Sequence, residues 1–175
     1  MDLSKIHTLS IRYEKITNQV ACSVTLLSPA SLITEREIQN QIICIAIWDT
    51  GATGSAITEL TAQKLGIAAT GRKNVSGLGG TIEKNTYLVD VSLPNKVTIT
   101  DLVVTEIDNP IDDKGNKVDS FGILIGMDII SMGDFCITNF EGKTVMTFRM
   151  PSMVRTDYVE EWNRRMFVQN KYKRK

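Results

Sequence analysis

An apolar run, IICIAIW, ends in a carboxylate, Asp49, and leads into DTGATGSAIT, residues 49–58. Burying an ionised carboxylate beside such a run is costly unless it is paired or hydrogen-bonded, and acids kept in such places are commonly tuned for proton transfer. A buried strand would deliver Asp49 to its tip. Gly51 permits backbone conformations that other residues resist, and the small side chains of Thr50, Gly51 and Ala52 let a second backbone come close. Backbone N–H groups and the hydroxyls of Thr50 and Ser55 are the expected donors to the charged carboxylate.

Two further segments belong with this loop. KNVSGLGGTIEKN (73–85) places Gly77, Gly79 and Gly80 around one apolar residue, Leu78, between polar stretches compatible with strands. This predicts a mobile hairpin tip of the kind that closes over a substrate. A phosphate loop fits less well, because GLGG lacks both the GK[ST] ending and a clear following helix. In ILIGMD (123–128) an apolar strand runs through Leu124 and Ile125 to Gly126, with Asp128 at the start of a turn towards helix. Asp128 there reads as a cap or a partner for backbone N–H groups. His7 is the only histidine, which removes most Ser-His and Cys-His arrangements and most zinc sites. Neither Ser55 nor Ser76 lies in a GxSxG pattern.

The elements that must position these residues are mostly short strands. Alternation marks 19–27, 86–93 and 97–104, and continuous apolar runs mark 42–48, 121–126 and 144–148. Pro94-Asn95 and Glu141-Gly142-Lys143 read as hairpin turns. A short helix is expected in ITELTAQKLG, with Thr58 as N-cap and Gly66 as C-terminal stop. MDIISMGD, after Gly126, is expected to form another turn or two. The polar segment 105–120, with Pro110 and Gly115, reads as a surface loop, since its acids do not follow calcium-loop spacing. After Pro151, Val154, Tyr158, Trp162 and Met166 recur every fourth residue. They predict an amphipathic helix over 154–168, started by Thr156 or Asp157 and packed on the body or on a partner. The organisation expected is a domain over 1–150, its motif-bearing core at about 18–150, followed by a helix and basic tail over 151–175.

Composition limits the alternatives. The chain has 175 residues, 42% of them apolar, enough for one domain with a core. Twenty basic residues balance twenty acidic ones, so no global attraction to nucleic acid is implied. The balance is uneven: Arg155–Lys175 holds seven basic and three acidic residues. A nucleic-acid or membrane contact through the tail lysines is the less favoured reading of that tail. Neither a signal-peptide layout nor an apolar stretch of spanning length is present, and a cytoplasmic protein without membrane association is expected. Cys22, Cys44 and Cys136 sit in apolar contexts and read as reduced, buried thiols.

Taken in order, the apolar strand with DTGA at 49–52, the GLGG tip at 77–80 and Leu124-Ile125-Gly126 followed by Asp128 resemble the retropepsin-like aspartic proteases. These are the retroviral proteases and their small cellular and bacterial relatives. The wording YLVDVSLPN and ILIGMDIISMGDF is most similar to the small bacterial members. The resemblance implies a mainly β fold, a closed retropepsin-like β-barrel with one or two short helices and the added C-terminal amphipathic helix. It implies an aspartic endopeptidase with Asp49 as catalytic carboxylate, Thr50 bonding across to a partner loop and Gly51 under the substrate backbone. Ala52 and the hairpin residues Gly77, Leu78, Gly79 and Gly80 would touch substrate, while Leu124, Ile125, Gly126 and Asp128 would be structural.

Carboxylate-driven hydrolysis needs one ionised and one protonated acid, and DTG occurs once here. The resemblance therefore implies a homodimer acting on a polypeptide, without metal or cofactor. Retroviral members usually place an acid shortly after DTGA and an Arg after the later Gly. Thr53 and Met127 stand there instead. The competing reading is a non-catalytic dimeric β-domain that binds peptides or proteins in the same groove.

Overall fold

The computed structural model describes residues 3–32, 38–77 and 80–173. Among them are ten strands: β1 (His7–Arg12), β2 (Ala21–Leu27), β3 (Gln41–Trp48), β4 (Ala56–Thr58), β5 (Gly71–Gly77), β6 (Gly80–Ser92), β7 (Thr98–Ile107), β8 (Ile123–Ile125), β9 (Asp134–Phe140) and β10 (Lys143–Met150). Three α-helices accompany them: α1 (Glu59–Leu65), α2 (Met127–Ile130) and α3 (Tyr158–Lys173). The protein is mainly β.

Seven strands form one sheet in the order β2-β3-β8-β4-β7-β6-β5, and β2 also pairs with β6. The order thus returns on itself through Thr25–Leu27 against Asp90–Ser92, leaving β5 outside as the outer arm of a hairpin with β6. A second sheet, β1-β10-β9, packs beside it. The core lies between, and Leu26, Ile57, Val89, Val104, Ile123, Ile125, Met146 and Phe148 are all buried in it. Alternation explains most of this burial: in β6, Tyr87, Val89 and Val91, two residues apart, are all buried, and the register shift between Val89 and Val91 sets Asp90 opposite two residues of β7, Thr100 and Asp101. Asp90 sits at that shift as a buried carboxylate, accepting bonds from Asp101 N (2.8 Å), Ala30 N (3.2 Å) and Gln39 Nε2 (3.2 Å).

The expected strands over 19–27, 42–48, 86–93, 97–104, 121–126 and 144–148 are all present with shifted ends, and the structure adds β1, β4 and β9. In β1 the half-buried His7, Leu9 and Ile11 alternate with exposed Thr8, Ser10 and Arg12. β4 has only three residues, all buried, so no alternation marks it. It also takes Ile57 from the expected helix.

α1 has the expected caps. Thr58 Oγ1 accepts from Thr61 N, and Gly66 adopts the left-handed conformation at φ 70° that a side chain resists. The loop after β7 is not wholly a surface connection, because Asn109 is buried and its Oδ1 accepts from Leu60 N at 3.0 Å.

α3 begins later than the periodicity predicts. Asp157 Oδ1 accepts from Val159 N and Glu160 N, 3.0 Å each, and starts the helix at Tyr158. Val154 therefore lies outside it. Tyr158, Trp162 and Met166 are exposed rather than packed on the body. The three cysteines are free and half-buried rather than fully buried.

Candidate active site

The last residue of β3 anchors the site. Trp48 is buried, stacks on Phe135 (centroids 5.5 Å apart) and tilts against Phe148 (5.0 Å). Its Nε1 donates to Cys22 Sγ at 3.3 Å, which gives the buried indole a polar partner. The chain therefore leaves a fixed point when it turns into Asp49.

From there the backbone binds to a second segment. Asp49 N donates to Ile125 O at 2.9 Å, continuing the parallel pairing of β3 with β8 in which Trp48 lies opposite Ile125. Ala52 N closes a turn onto Asp49 O at 3.3 Å, and Met127 N donates to Ala52 O at 2.8 Å. The 49–52 loop and the 124–128 segment thus form one unit. Gly126 makes their approach possible: a Cβ there would sit 2.5 Å from the carbonyl carbon of Gly54 and 2.6 Å from its oxygen. No side chain fits that space.

The Asp49 carboxylate is half-buried and accepts a bond from Gly51 N at 2.8 Å. A Cβ on Gly51 would come within 3.2 Å of the same oxygen. The expected donor Ser55 does not serve it. Ser55 N and Ser55 Oγ both donate to Asp128, each at 2.7 Å, while Gly126 N donates to Ser55 Oγ at 3.1 Å. Asp128 also accepts from Ile129 N at 2.9 Å, so it does act as a partner for backbone N–H groups. Its carboxylate is committed to that lattice of bonds. Thr50 is exposed, and among the described residues its hydroxyl makes no hydrogen bond.

The β5–β6 hairpin extends from the edge of the seven-stranded sheet. Its register runs from Gly71 opposite Thr86 to Gly77 opposite Gly80, which leaves a two-residue connection. Gly80, at φ 106°, takes a conformation open to glycine. Leu78 and Gly79, the expected tip, lie outside the described residues. The hairpin couples to the site through β7, which pairs with β6 and whose Thr105 N donates to Ser55 O at 3.2 Å.

Thr53 and Met127 are both exposed beside the loop. Among the described residues no group of three or more His, Cys, Asp or Glu side chains is placed to hold a metal ion, and no helix is long and apolar enough to cross a membrane. Burial raises the Cys22 thiol and pushes Cys44 up to about 12, the latter helped by the charge of Asp119. Neither is an activated nucleophile. Sequence reasoning missed the Ser55–Asp128 connection. The signal available was a Ser seven residues after the end of an apolar run, with an Asp two residues past a strand-end Gly.

A family model described as aspartyl protease matches residues 37–129. Among solved structures, the chain is similar to a retropepsin-like aspartic protease from Rickettsia conorii, with 13% identity and a TM-score of 0.43 over 82% of this chain and 94% of that one. No curated protein matches.

Proposed function

The chain belongs to the aspartyl protease family, and from that premise we propose that it is an endopeptidase whose active site forms when two copies bring their Asp49 loops together. The observation that carries the reading is the Asp49 carboxylate itself. It is held by Gly51 N on a loop locked to 124–128, while the neighbouring acid of that segment, Asp128, is bonded to Ser55 and Ile129 N. One carboxylate cannot take a proton from water and donate one to the scissile carbonyl at the same time. Two facing carboxylates resist double ionisation and share a proton, giving one base and one acid.

In this mechanism the ionised Asp49 takes a proton from a water whose oxygen attacks the scissile carbon. The protonated Asp49 of the other copy hydrogen-bonds the carbonyl oxygen as it gains charge. The proton is then passed to the departing amine nitrogen as the C–N bond breaks. Thr50, exposed and without a bond among the described residues, is the group that reaches the partner loop. Gly51 and Ala52 form the floor beneath an extended peptide, and the β5–β6 hairpin, with Gly77 to Gly80 at its end, is the flap above it.

In the same reading, the ring of strands from β2 to β6 is a closed retropepsin-like barrel. Residues 1–150 are the protease domain and 151–175 an appended helix and tail. The setting is cytoplasmic, consistent with three free thiols. A poisoning experiment tests it. Adding excess Asp49→Asn chains to wild type should suppress cleavage of a peptide library by forming mixed dimers, whereas a one-chain active site would be unaffected.

A further inference from the structure

α3 presents an apolar face that meets the body at its first residue, where Tyr158 OH lies 4.0 Å from Cys136 Sγ, and is otherwise largely exposed. Tyr158, Trp162 and Met166, four residues apart, lie on one side with Val159 beside them, and they are 63%, 63%, 37% and 71% exposed. The root of the helix is fixed. Asp134 accepts from Ser152 Oγ (2.6 Å), Met153 N (2.9 Å) and Val154 N (3.3 Å) and pairs with Arg149, so the segment before α3 is tied to β9 and β10. A helix rooted in this way is displayed, and its exposed stripe is well suited to a partner.

The charges beside the stripe indicate which partner. Glu161 and Arg165 flank it one turn apart and are paired with each other at 2.5 Å, both largely exposed. An acid before Trp162 and a base after it form a pattern that a two-fold axis through the helix centre turns into its complement. In an antiparallel pair centred on Trp162, Tyr158 of one copy lies over Met166 of the other. Glu161 then falls within about 3 Å, measured along the axis, of Arg165 of the other copy, at 1.5 Å rise per residue. We propose that α3 is a self-docking helix: two copies of this chain pack their α3 faces antiparallel, Trp162 against Trp162, with Glu161 and Arg165 exchanging partners between chains.

The consequence for activity rests on the shared-aspartate reading. Thr53 and Met127, at positions where an ion pair is usual in the retroviral proteases, supply no charge to brace the dimer, and α3 would provide a brace at a distance from the site. Its action is isologous, as a two-fold pair requires.

The test is charge complementation in the full-length chain, with mass read by sedimentation and helix content by circular dichroism. E161R places two like charges on each side of the seam, and so does R165E. Each variant alone should weaken the dimer by about tenfold or more, and an equimolar mixture should restore wild-type association. Trp162→Ala keeps both charges and should also weaken it. Equal association for all variants, or no gain on mixing, overturns the proposal, as does a monomeric wild type that binds anionic vesicles instead. Cleavage is scored separately. An active dimer indifferent to these substitutions refutes the α3 contact alone, while charge-complementing dimers without any cleavage refute the protease reading alone.

Discussion

Ser55 and Asp128 clasp the two segments of the site together. Both the backbone N–H and the hydroxyl of Ser55 donate to the Asp128 carboxylate at 2.7 Å, and the same hydroxyl accepts from Gly126 N. Ser55 is buried, so these bonds are made where water does not replace them. The clasp ties the loop that follows Asp49 to the segment that follows β8, with its bonds made between Ser55, Gly126 and Asp128.

Ser55→Ala removes a charge-assisted bond and leaves Gly126 N without its acceptor. The expected loss is about 1–3 kcal/mol of folding stability, measured by urea unfolding, with a fall in cleavage rate larger than the change in substrate affinity. An alanine variant as stable and active as wild type would show that the clasp is dispensable.

Gly126→Ala should be worse. Its methyl would overlap the Gly54 carbonyl at 2.5 Å, and the backbones can separate only by breaking the bond from Met127 N to Ala52 O. Overpacking against backbone costs on the order of 1–3 kcal/mol or more. The thermal midpoint should drop by several degrees and cleavage should be lost even where the chain still folds. Gly80→Ala, with nothing within 4 Å of its added Cβ, is the contrasting control for crowding, although its positive φ still carries strain.

Much of this arrangement is legible in the sequence wherever the chemistry is local. Thr58 and Gly66 bound α1 because a cap and a left-handed stop act within one turn, and the turns at 94–97 and 141–142 follow from their residues, with Lys96, Glu141 and Gly142 at positive φ. The partner of Ser55 was not legible. Proximity in sequence favours Asp49, whereas the sheet brings β8 against β4 and puts Asp128 within reach. β9 was hidden for a related reason: DFCITNF mixes apolar and polar residues and becomes a strand only by pairing with β10. The apolar residues of α3 give a helix signal but carry no information about what lies against them.

The root of α3 should withstand acid. Bonds from Ser152 and Met153, then the Arg149 guanidinium, hold the Asp134 carboxyl far below its ordinary 3.8. Its depressed value means that its contribution to stability is complete above about pH 4 and is lost only as the pH falls below the unfolded value towards the folded one. The stability difference between wild type and Asp134→Asn should therefore be constant from pH 7 to about 4.5 and narrow at lower pH. Limited proteolysis should cut the variant, and not wild type, between residues 151 and 157. A difference that widens on acidification would contradict this assignment.

Thiol reagents should leave the enzyme active. Cys44, pushed up to about 12 by burial and then by Asp119, is almost wholly protonated at pH 7.5 and should react with iodoacetamide far more slowly than a free cysteine. Mass spectrometry of timed samples measures the rate directly. Rapid labelling of Cys44 together with loss of cleavage would indicate a thiol-dependent site.

In the proposed site Asp49 carries the chemistry as one of a pair. The most direct measurement is cleavage of an unbiased peptide library between about pH 4 and 7 by wild type and Asp49→Asn, with the mass of each in solution recorded alongside. A shared-aspartate site gives cleavage by a dimeric wild type and none by an equally folded, equally dimeric Asp49→Asn. Cleavage that survives the substitution, or a folded dimer that cleaves nothing across the range, would contradict it.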